Sequence, residues 1–394
     1  MRVLHIVAYF PPDRMGGVGE VVAHLHAELR GNGHVSHVFT TGTSADDPTV
    51  ERVAASPSRF LLALARRAGR ARNFELVHCH HGDALLMLLA MRALGIRTPV
   101  LATFHVGHRG MAAAHRPFVL SGLGAASSAR RFSTGRAGFV YRIAVSRFHR
   151  FTDRCTRGLA DAVSFISRSA ARDVLGGDAG ERARVIYNGV PESDPLPAQG
   201  NEIPLIELLY VGTDGPRKRV AALPFVLAAV RRDHPAAKLR IVGLEAGAAP
   251  DLAALFGELG LGDAVVFEGR HKSVDVERFY RAARVLVVPS IYEGLPMVIL
   301  EALRCGLPCV ATRVSGLPEV VEDGVNGFLV EPDRPELLAE RCSRLLADRA
   351  LRDRFSGEGR AVVASRFGVA RQCDEYQALY AEILAGVAGA GDRG

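Results

Sequence analysis

The chain has 394 residues, 48% of them hydrophobic and 23% charged. That is enough for two domains of roughly 150 residues each and excludes a globally disordered chain. The net charge is +7, but the basic residues are scattered among acids and there is no Trp, so no nucleic-acid partner is expected. The longest apolar run, 84–91, stops at Arg92, far short of the ~18–20 residues that cross a bilayer. Any membrane contact would therefore be peripheral. The N-terminus lacks a basic n-region and a small-residue cleavage site and does not read as a signal peptide. Six dispersed cysteines with no C-x-x-C pair fit free thiols in a reducing cytoplasm.

The first element, 3–8, is nearly all apolar and reads as a buried parallel strand. A Pro- and Gly-rich turn follows. Val18, Val22, Leu25 and Leu29 then recur at helical spacing up to the stop signal Gly31-Asn32-Gly33. Further strands are predicted at 35–40, 76–78, 100–104, 162–166 and 185–186, with helices between most of them. In the run Val77-His78-Cys79-His80-His81 a metal site suggests itself. It lies where a buried strand should end, and no second cluster stands at ligand spacing. No metal is expected. From Arg109 to Arg154 there are nine arginines and one acid, Asp153. This stretch fits an anionic acceptor, a lipid head-group layer or an exposed helix pair.

The polar stretch 191–200, with three prolines, reads as a linker. A second alternation follows it. Strands are predicted at 205–211, 239–242, 265–267, 285–288, 309–311 and 328–330. Helices are predicted at 221–232, 252–258, 276–282, 296–304 and 335–346. The last periodic segment, 369–384, is amphipathic. Its Val369, Tyr376, Leu379 and Ile383 need a partner, and it is expected to cross back onto the first domain. Such alternation means α/β architecture: two doubly wound, Rossmann-like parallel-sheet domains facing a central cleft. The expected domains are 1–190, joined by helix 369–385, and 191–368.

The most informative segment runs from Val288 to Ala302. A buried strand leads into a turn and then a helix. Glu293 sits at the turn and Glu301 lies eight residues on, about two helical turns, so both carboxylates can face one side. Carboxylates accept hydrogen bonds from sugar and ribose hydroxyls, and the amides at a helix start can meet a diphosphate. The same spacing also fits a helix cap followed by an exposed glutamate.

This E-x7-E pattern resembles that of the retaining GT-B glycosyltransferases of family 4. The similarity extends through 302–311, through Ser315-Gly316-Leu317-Pro318-Glu319 and through 323–330. It also takes in Asn188-Gly189-Val190, the turn Gly16-Gly17-Val18-Gly19 and Thr103-Phe104-His105. The resemblance implies that Glu293 holds the donor sugar's hydroxyls and Glu301 the ribose diol. It implies that backbone at Gly294, Leu295 and Pro296 meets phosphate and sugar. Gly16 and Gly17 would approach the diphosphate, His105 would sit near the reacting sugar, and backbone up to His271 would line the base pocket. His105 at a strand end also fits a purely structural role.

One position departs from the family pattern. An Arg is usual directly after the glycine that ends the second domain's first strand, and a Lys five residues later. Here Thr213 stands at the Arg position, Lys218 is in place, and Arg217 and Arg219 flank it. Lys218 is the expected main cation for the leaving diphosphate, with Arg217 or Arg219 as substitute for the missing arginine. A metal-dependent GT-A enzyme would need D-x-D, which the chain lacks. A dehydrogenase would need G-x-G-x-x-G after the first strand, which is also absent. A GT-B epimerase or phosphorylase would share the fold without the E-x7-E helix. The expectation is a hexose-type transfer from a nucleotide-diphosphate sugar of the UDP class to a small-molecule or glycan acceptor, without cofactor. An aminocyclitol antibiotic precursor and an envelope glycoconjugate are the candidate acceptors, with Tyr9–Arg14 and the 109–154 stretch as their expected contacts. A non-catalytic sugar-nucleotide-binding protein is the alternative.

Overall fold

The computed structural model describes residues 1–11, 17–42, 47–55, 57–80, 84–106, 151–177, 184–192 and 205–391. Gly16, His81, the 12–14 acceptor candidates, the arginine-rich stretch up to residue 150 and the linker core 193–200 lie outside the described residues. The chain divides into two compact units. One holds the described residues up to Pro191 and those from Arg366 onward, and the other holds Glu192–Ser365.

In the first unit, apolar runs form seven strands: β1 (Arg2–Ile6), β2 (Val35–Thr41), β3 (Val50–Ala54), β4 (Leu76–His80), β5 (Val100–Phe104), β6 (Ala162–Phe165) and β7 (Arg184–Val185). They pair in parallel in the order β3-β2-β1-β4-β5-β6-β7. Helices α1 (Gly17–Gly31), α2 (Pro57–Arg66), α3 (Leu85–Ala93) and α4 (Arg168–Leu175) supply the crossovers. Helix α4 shows how the sequence sets its own limits. The Ser167 hydroxyl accepts from the Ala170 amide at 3.0 Å, and Gly176 ends the helix at φ 84°. Strands β1, β4 and β5 are buried almost throughout, as a sheet covered on both faces requires.

The second unit repeats the scheme with β8 (Ile206–Val211), β9 (Leu239–Val242), β10 (Val265–Gly269), β11 (Ala283–Val288), β12 (Cys309–Thr312) and β13 (Gly327–Val330). Their order is β10-β9-β8-β11-β12-β13, again parallel. The helices are α5 (Leu223–Asp233), α6 (Pro250–Glu258), α7 (Ser273–Ala282), α8 (Met297–Arg304), α9 (Pro335–Ala347) and α10 (Arg349–Arg366). Leu208, Val226, Leu239, Val285, Val310, Leu338 and Phe355 belong to its core.

Helix α11 (Val369–Gly391) follows the second unit in sequence but packs in the first. Tyr376, Leu379, Tyr380 and Ile383 form one cluster with Val3, Leu25, Leu29, Leu76 and Leu101. The Gln372 side chain accepts from the Gly189 amide at 2.9 Å, and Val190 pairs with Gly368. These bonds fix where the helix begins.

Two elements differ from the sequence expectation. Strand β3 is a short edge strand carrying Glu51 and Arg52, with too few apolar residues to show a strand pattern. Helix α10 is rich in arginine and contains Gly357 and Gly359. Its buried residues, Leu351, Phe355, Gly359 and Val363, form a stripe only one residue wide. The last helix runs on to Gly391, past its predicted end at 384; other predicted and observed ends differ by a few residues, as capping and fraying allow.

Candidate active site

Each sheet has a point where the winding reverses, and ligands of open α/β sheets bind at the carboxyl ends of the strands there. In the second sheet that point lies between β8 and β11, because the chain builds outward from β8 to β10 and then resumes at β11. The loop after β8 carries Thr213, Arg217, Lys218 and Arg219. The loop after β11 carries Ser290, Glu293, Gly294, Leu295 and Pro296. Parallel pairing of β8 with β11 places these loops side by side, and the Ile291 amide donates to the Arg217 carbonyl at 2.8 Å.

Three side chains converge on the buried Glu293 carboxylate. The Lys218 ammonium stands 2.7 Å from Oε1, and the Ser290 hydroxyl donates to the same oxygen at 2.7 Å. Arg217 donates to Oε2 at 2.7 Å. Burial pushes the Glu293 carboxyl up. The Lys218 and Arg217 cations, with the Lys218 and Ser290 hydrogen bonds, outweigh burial and hold it below its ordinary value. The group of two cations and one anion carries one net positive charge. Arg219 is placed differently. It adopts φ 50° and binds Asp333, itself at φ 58°, with contacts of 3.0 and 3.5 Å. Thr213 is exposed at the end of β8, and its carbonyl accepts from the Tyr210 hydroxyl at 2.8 Å.

Backbone shape at Glu293 depends on the neighbouring loop. The Gly316 amide donates to the Glu293 carbonyl at 3.0 Å. A Cβ at Gly316 would stand 2.0 Å from the Gly294 carbonyl oxygen, so only glycine allows this approach. Helix α8 starts at Met297 behind the buried Gly294-Leu295-Pro296 turn, and no side chain caps its first turn. Two turns along the helix, Glu301 accepts from the Tyr280 hydroxyl of α7 at 2.8 Å. Burial, with Glu301 beside it, pushes the Tyr280 phenol up, so Tyr280 stays a donor. His271 follows β10. Its Nε2 donates to the Glu268 carbonyl at 3.0 Å, and its ring lies 5.0 Å from that of Phe279.

His105 belongs to the first unit, just beyond β5, and is 2% exposed. Its Nε2 stands 3.2 Å from His80 Nδ1, and His80 Nε2 stands 3.3 Å from His5 Nδ1. His78 bonds the Tyr380 and Thr103 hydroxyls, each at 2.7 Å. Period-2 alternation puts His78 and His80 on one face of β4, and the register sets His5 of β1 opposite His78. His5, His78 and His80 each bring a ligand nitrogen within 4.8 Å of the others. The ring nitrogens of His78 and His80 are already engaged in the bonds just described. A zinc-type ion needs nitrogens at about 2.0–2.1 Å, so binding one here would replace these hydrogen bonds. The expected glycine turn is helical from Gly17 on: Gly17, the first residue of α1, is exposed. Gly19 is the tight position, where a Cβ would meet the Tyr9 carbonyl oxygen at 2.5 Å.

The structure thus joins Arg217, Lys218 and Glu293, directs Arg219 to Asp333, and ties Glu301 to Tyr280. Sequence reasoning missed Ser290, Tyr280, Asp333 and the His5–His80 chain. Ser290 stands three residues before Glu293 on the same turn, which was a readable signal. The others come from elements distant in sequence and left none.

Residues 200–362 match the family model described as "Glycosyl transferases group 1", and residues 15–194 match "Glycosyltransferase Family 4". A D-inositol 3-phosphate glycosyltransferase of Streptomyces bingchenggensis is 34% identical over 218 residues, covering 53% of this chain and 45% of that protein. An alpha-D-kanosaminyltransferase of Streptomyces kanamyceticus is 32% identical over 176 residues, 45% of each chain. The chain therefore aligns with less than half the length of these two relatives. Anabaena HepE, solved in complex with UDP-glucose, superposes with a TM-score of 0.72 at 21% identity, covering 98% of this chain and 100% of that one. The fold is that of the GT-B glycosyltransferases.

Proposed function

We propose that the chain is a retaining, metal-independent glycosyltransferase that moves a hexose-type sugar from a UDP-sugar to an acceptor hydroxyl. The observation that carries this reading is the Glu293 carboxylate held by Lys218 and Arg217 at the reversal point of the second sheet. In this reading the diphosphate draws on Lys218, with Arg217 in place of the cation that Thr213 does not supply. The uncapped start of α8 adds its amides. Glu293 accepts from sugar hydroxyls and Glu301 from the ribose diol. Charge building on the leaving phosphate is met by groups already in position, which is how such a site lowers a barrier. Two matches to glycosyltransferase families support the reaction class, and the UDP-glucose bound by HepE supports the donor class.

For the acceptor, the printed names of the two relatives favour a cyclitol-type or sugar-modified natural product, such as an aminocyclitol antibiotic precursor. An envelope glycoconjugate is the other candidate. Among the described residues no helix is long and apolar enough to cross a membrane, which fits the cytoplasmic location we propose.

The test is a donor panel of UDP-glucose, UDP-N-acetylglucosamine and GDP-mannose against cyclitol acceptors. Products are read by mass spectrometry and anomeric configuration by NMR, with and without excess EDTA. Transfer from a UDP-sugar with retention, undiminished by EDTA, is expected. Loss of turnover restored by Mg or Mn would overturn metal independence. Tight donor binding without hydrolysis or transfer would leave the non-catalytic reading in its place.

A further inference from the structure

Helices α2 and α3 pack on each other and cover one face of the first sheet, while α1 and α11 cover the other. Phe60 and Leu64 of α2 and Met87, Leu88 and Met91 of α3 point inward, in one core cluster with β1 and β4. The outward rows are also apolar in part. On α2, Arg59, Leu62 and Arg66 share a face at spacings of three and four, as Leu86 and Leu89 do on α3. Leu62, Leu86, Leu89 and Leu94, the last just past α3, are 54, 39, 47 and 54% exposed. A lone exposed leucine needs no explanation. Here six leucines are exposed among the described residues, and four of them stand on this one layer.

Charge on the layer has one sign. Residues 57–73 hold Arg59, Arg66, Arg67, Arg70 and Arg72 and no acid, and α3 holds Arg92 and no acid. Arg67 and Arg70 turn to Glu51 of β3, and Arg92 to Asp161 and the Leu159 carbonyl. Arg59, Arg66 and Arg97 are exposed and have no ion-pair partner among the described residues. Arg72 donates to the Leu94 carbonyl at 3.1 Å, which fixes a cation beside that exposed leucine.

We propose that the outward face of α2 and α3 docks on an anionic lipid bilayer. Its four leucines enter the acyl boundary, and Arg59, Arg66 and Arg72 meet the lipid phosphates. The charge pattern favours this occupant. A second copy in a two-fold contact would set the face against itself, arginine against arginine. A protein partner would need uniform negative charge across the width of two helices, which an anionic bilayer supplies everywhere. Docking would bring the chain to membrane-borne acceptors.

The test uses the full chain and vesicles of equimolar phosphatidylcholine and phosphatidylglycerol. The chain has no Trp, so Leu89→Trp supplies a single reporter. Its emission should shift to the blue with these vesicles. Leu205→Trp, at an exposed position of the second unit, should not shift. The native chain should sediment with the vesicles. Arg59→Gln with Arg66→Gln should weaken binding about 25-fold, from roughly fivefold per basic side chain at an anionic surface. Leu62→Gln with Leu86→Gln should weaken it about 10-fold or more. Arg349→Gln with Arg354→Gln removes the same charge from the exposed side of α10 and should leave binding near native. No binding by the native chain, or equal losses in the two arginine pairs, would overturn the proposal. So would equal shifts at Leu89→Trp and Leu205→Trp. A dimer in analytical ultracentrifugation that Leu62→Gln with Leu86→Gln dissolves would give the face to a second copy instead. Binding is read without donor or acceptor, so failure of the proposed transfer would leave this result intact.

Discussion

The Lys218 ammonium and the Glu293 carboxylate meet at 2.7 Å, one from the loop after β8 and the other from the loop after β11. The side chains are only 12% and 6% exposed, so the pair lies where charges are weakly screened by salt. A donor diphosphate would have to draw on an ammonium that already has an anionic partner. Entry of the donor and release of the glutamate toward sugar hydroxyls are then one event. Lys218→Ala should cut kcat by about 100-fold or more, the range for losing a transition-state donor. Steady-state kinetics with unchanged kcat and donor affinity would remove Lys218 from the site.

Arg217 and Arg219 should separate cleanly. Arg217 shares Glu293, whereas Arg219 is paired with Asp333. A hydrogen bond to a charged group is worth roughly 1.5–3 kcal/mol, so Arg217→Ala should lower kcat/KM about 10- to 150-fold. Arg219→Ala should lower the melting temperature and leave kcat near native. Thr213→Arg should partly restore Arg217→Ala, because Thr213 lies on the same loop. Kinetics that place the large loss on Arg219 instead would reverse the assignment.

Glu301→Ala should weaken donor binding by about 10- to 150-fold with a smaller effect on kcat, since the ribose does not react. Tyr280→Phe removes the hydrogen bond that orients Glu301 and should weaken binding only a few-fold. Calorimetry of UDP binding checks both. Unchanged affinity in Glu301→Ala would end the ribose role.

Stability should fall in acid in two stages. Burial pushes His5 down to about 3 and His26 to about 4, and holds His78 well below its ordinary 6.5. The unfolded chain therefore binds protons below about pH 6.5 that the folded chain refuses, and stability declines from there downward. The Glu293 carboxyl lies below its ordinary 4.5. Its contribution is present above that value and is lost as pH falls through the folded value. Thermal melts across pH should show the first decline starting near 6.5 and flattened in His78→Gln. The second should be diminished in Glu293→Gln. A melting temperature flat from pH 7 to 5 would contradict the buried neutral histidines.

The strands and the candidate-site loops were readable because parallel strands buried on both faces appear as apolar runs, and these loops follow two of them directly. Glu293, Glu301 and Lys218 could be placed on loop or helix from local spacing alone. Tyr280 could not, because its link to Glu301 depends on how α7 packs on α8. The choice between Arg217 and Arg219 was hidden as well. It turns on Arg219 adopting a left-handed backbone conformation that points it to Asp333, and nothing in the run Arg217-Lys218-Arg219 marks that residue. The run Val77–His81 drew attention as possible metal chemistry, but its role depends on His5 and Tyr380, brought in by β1 and α11.

Helix α11 has a consequence for biosynthesis. It follows the whole second unit in sequence, yet it covers Val3, Leu25 and Leu76, which precede that unit. A ribosome delivers the N-terminal sheet long before its cover, so that apolar face waits, unsealed, while the whole second unit is translated. Contacts joining the two ends of a chain form late and slowly, and a waiting apolar face invites association with other chains. A stop codon or proteolytic cut just before Val369 would therefore injure the unit farthest from it in sequence and leave the nearer sheet with its core complete. The first unit is completed only after the second has been made.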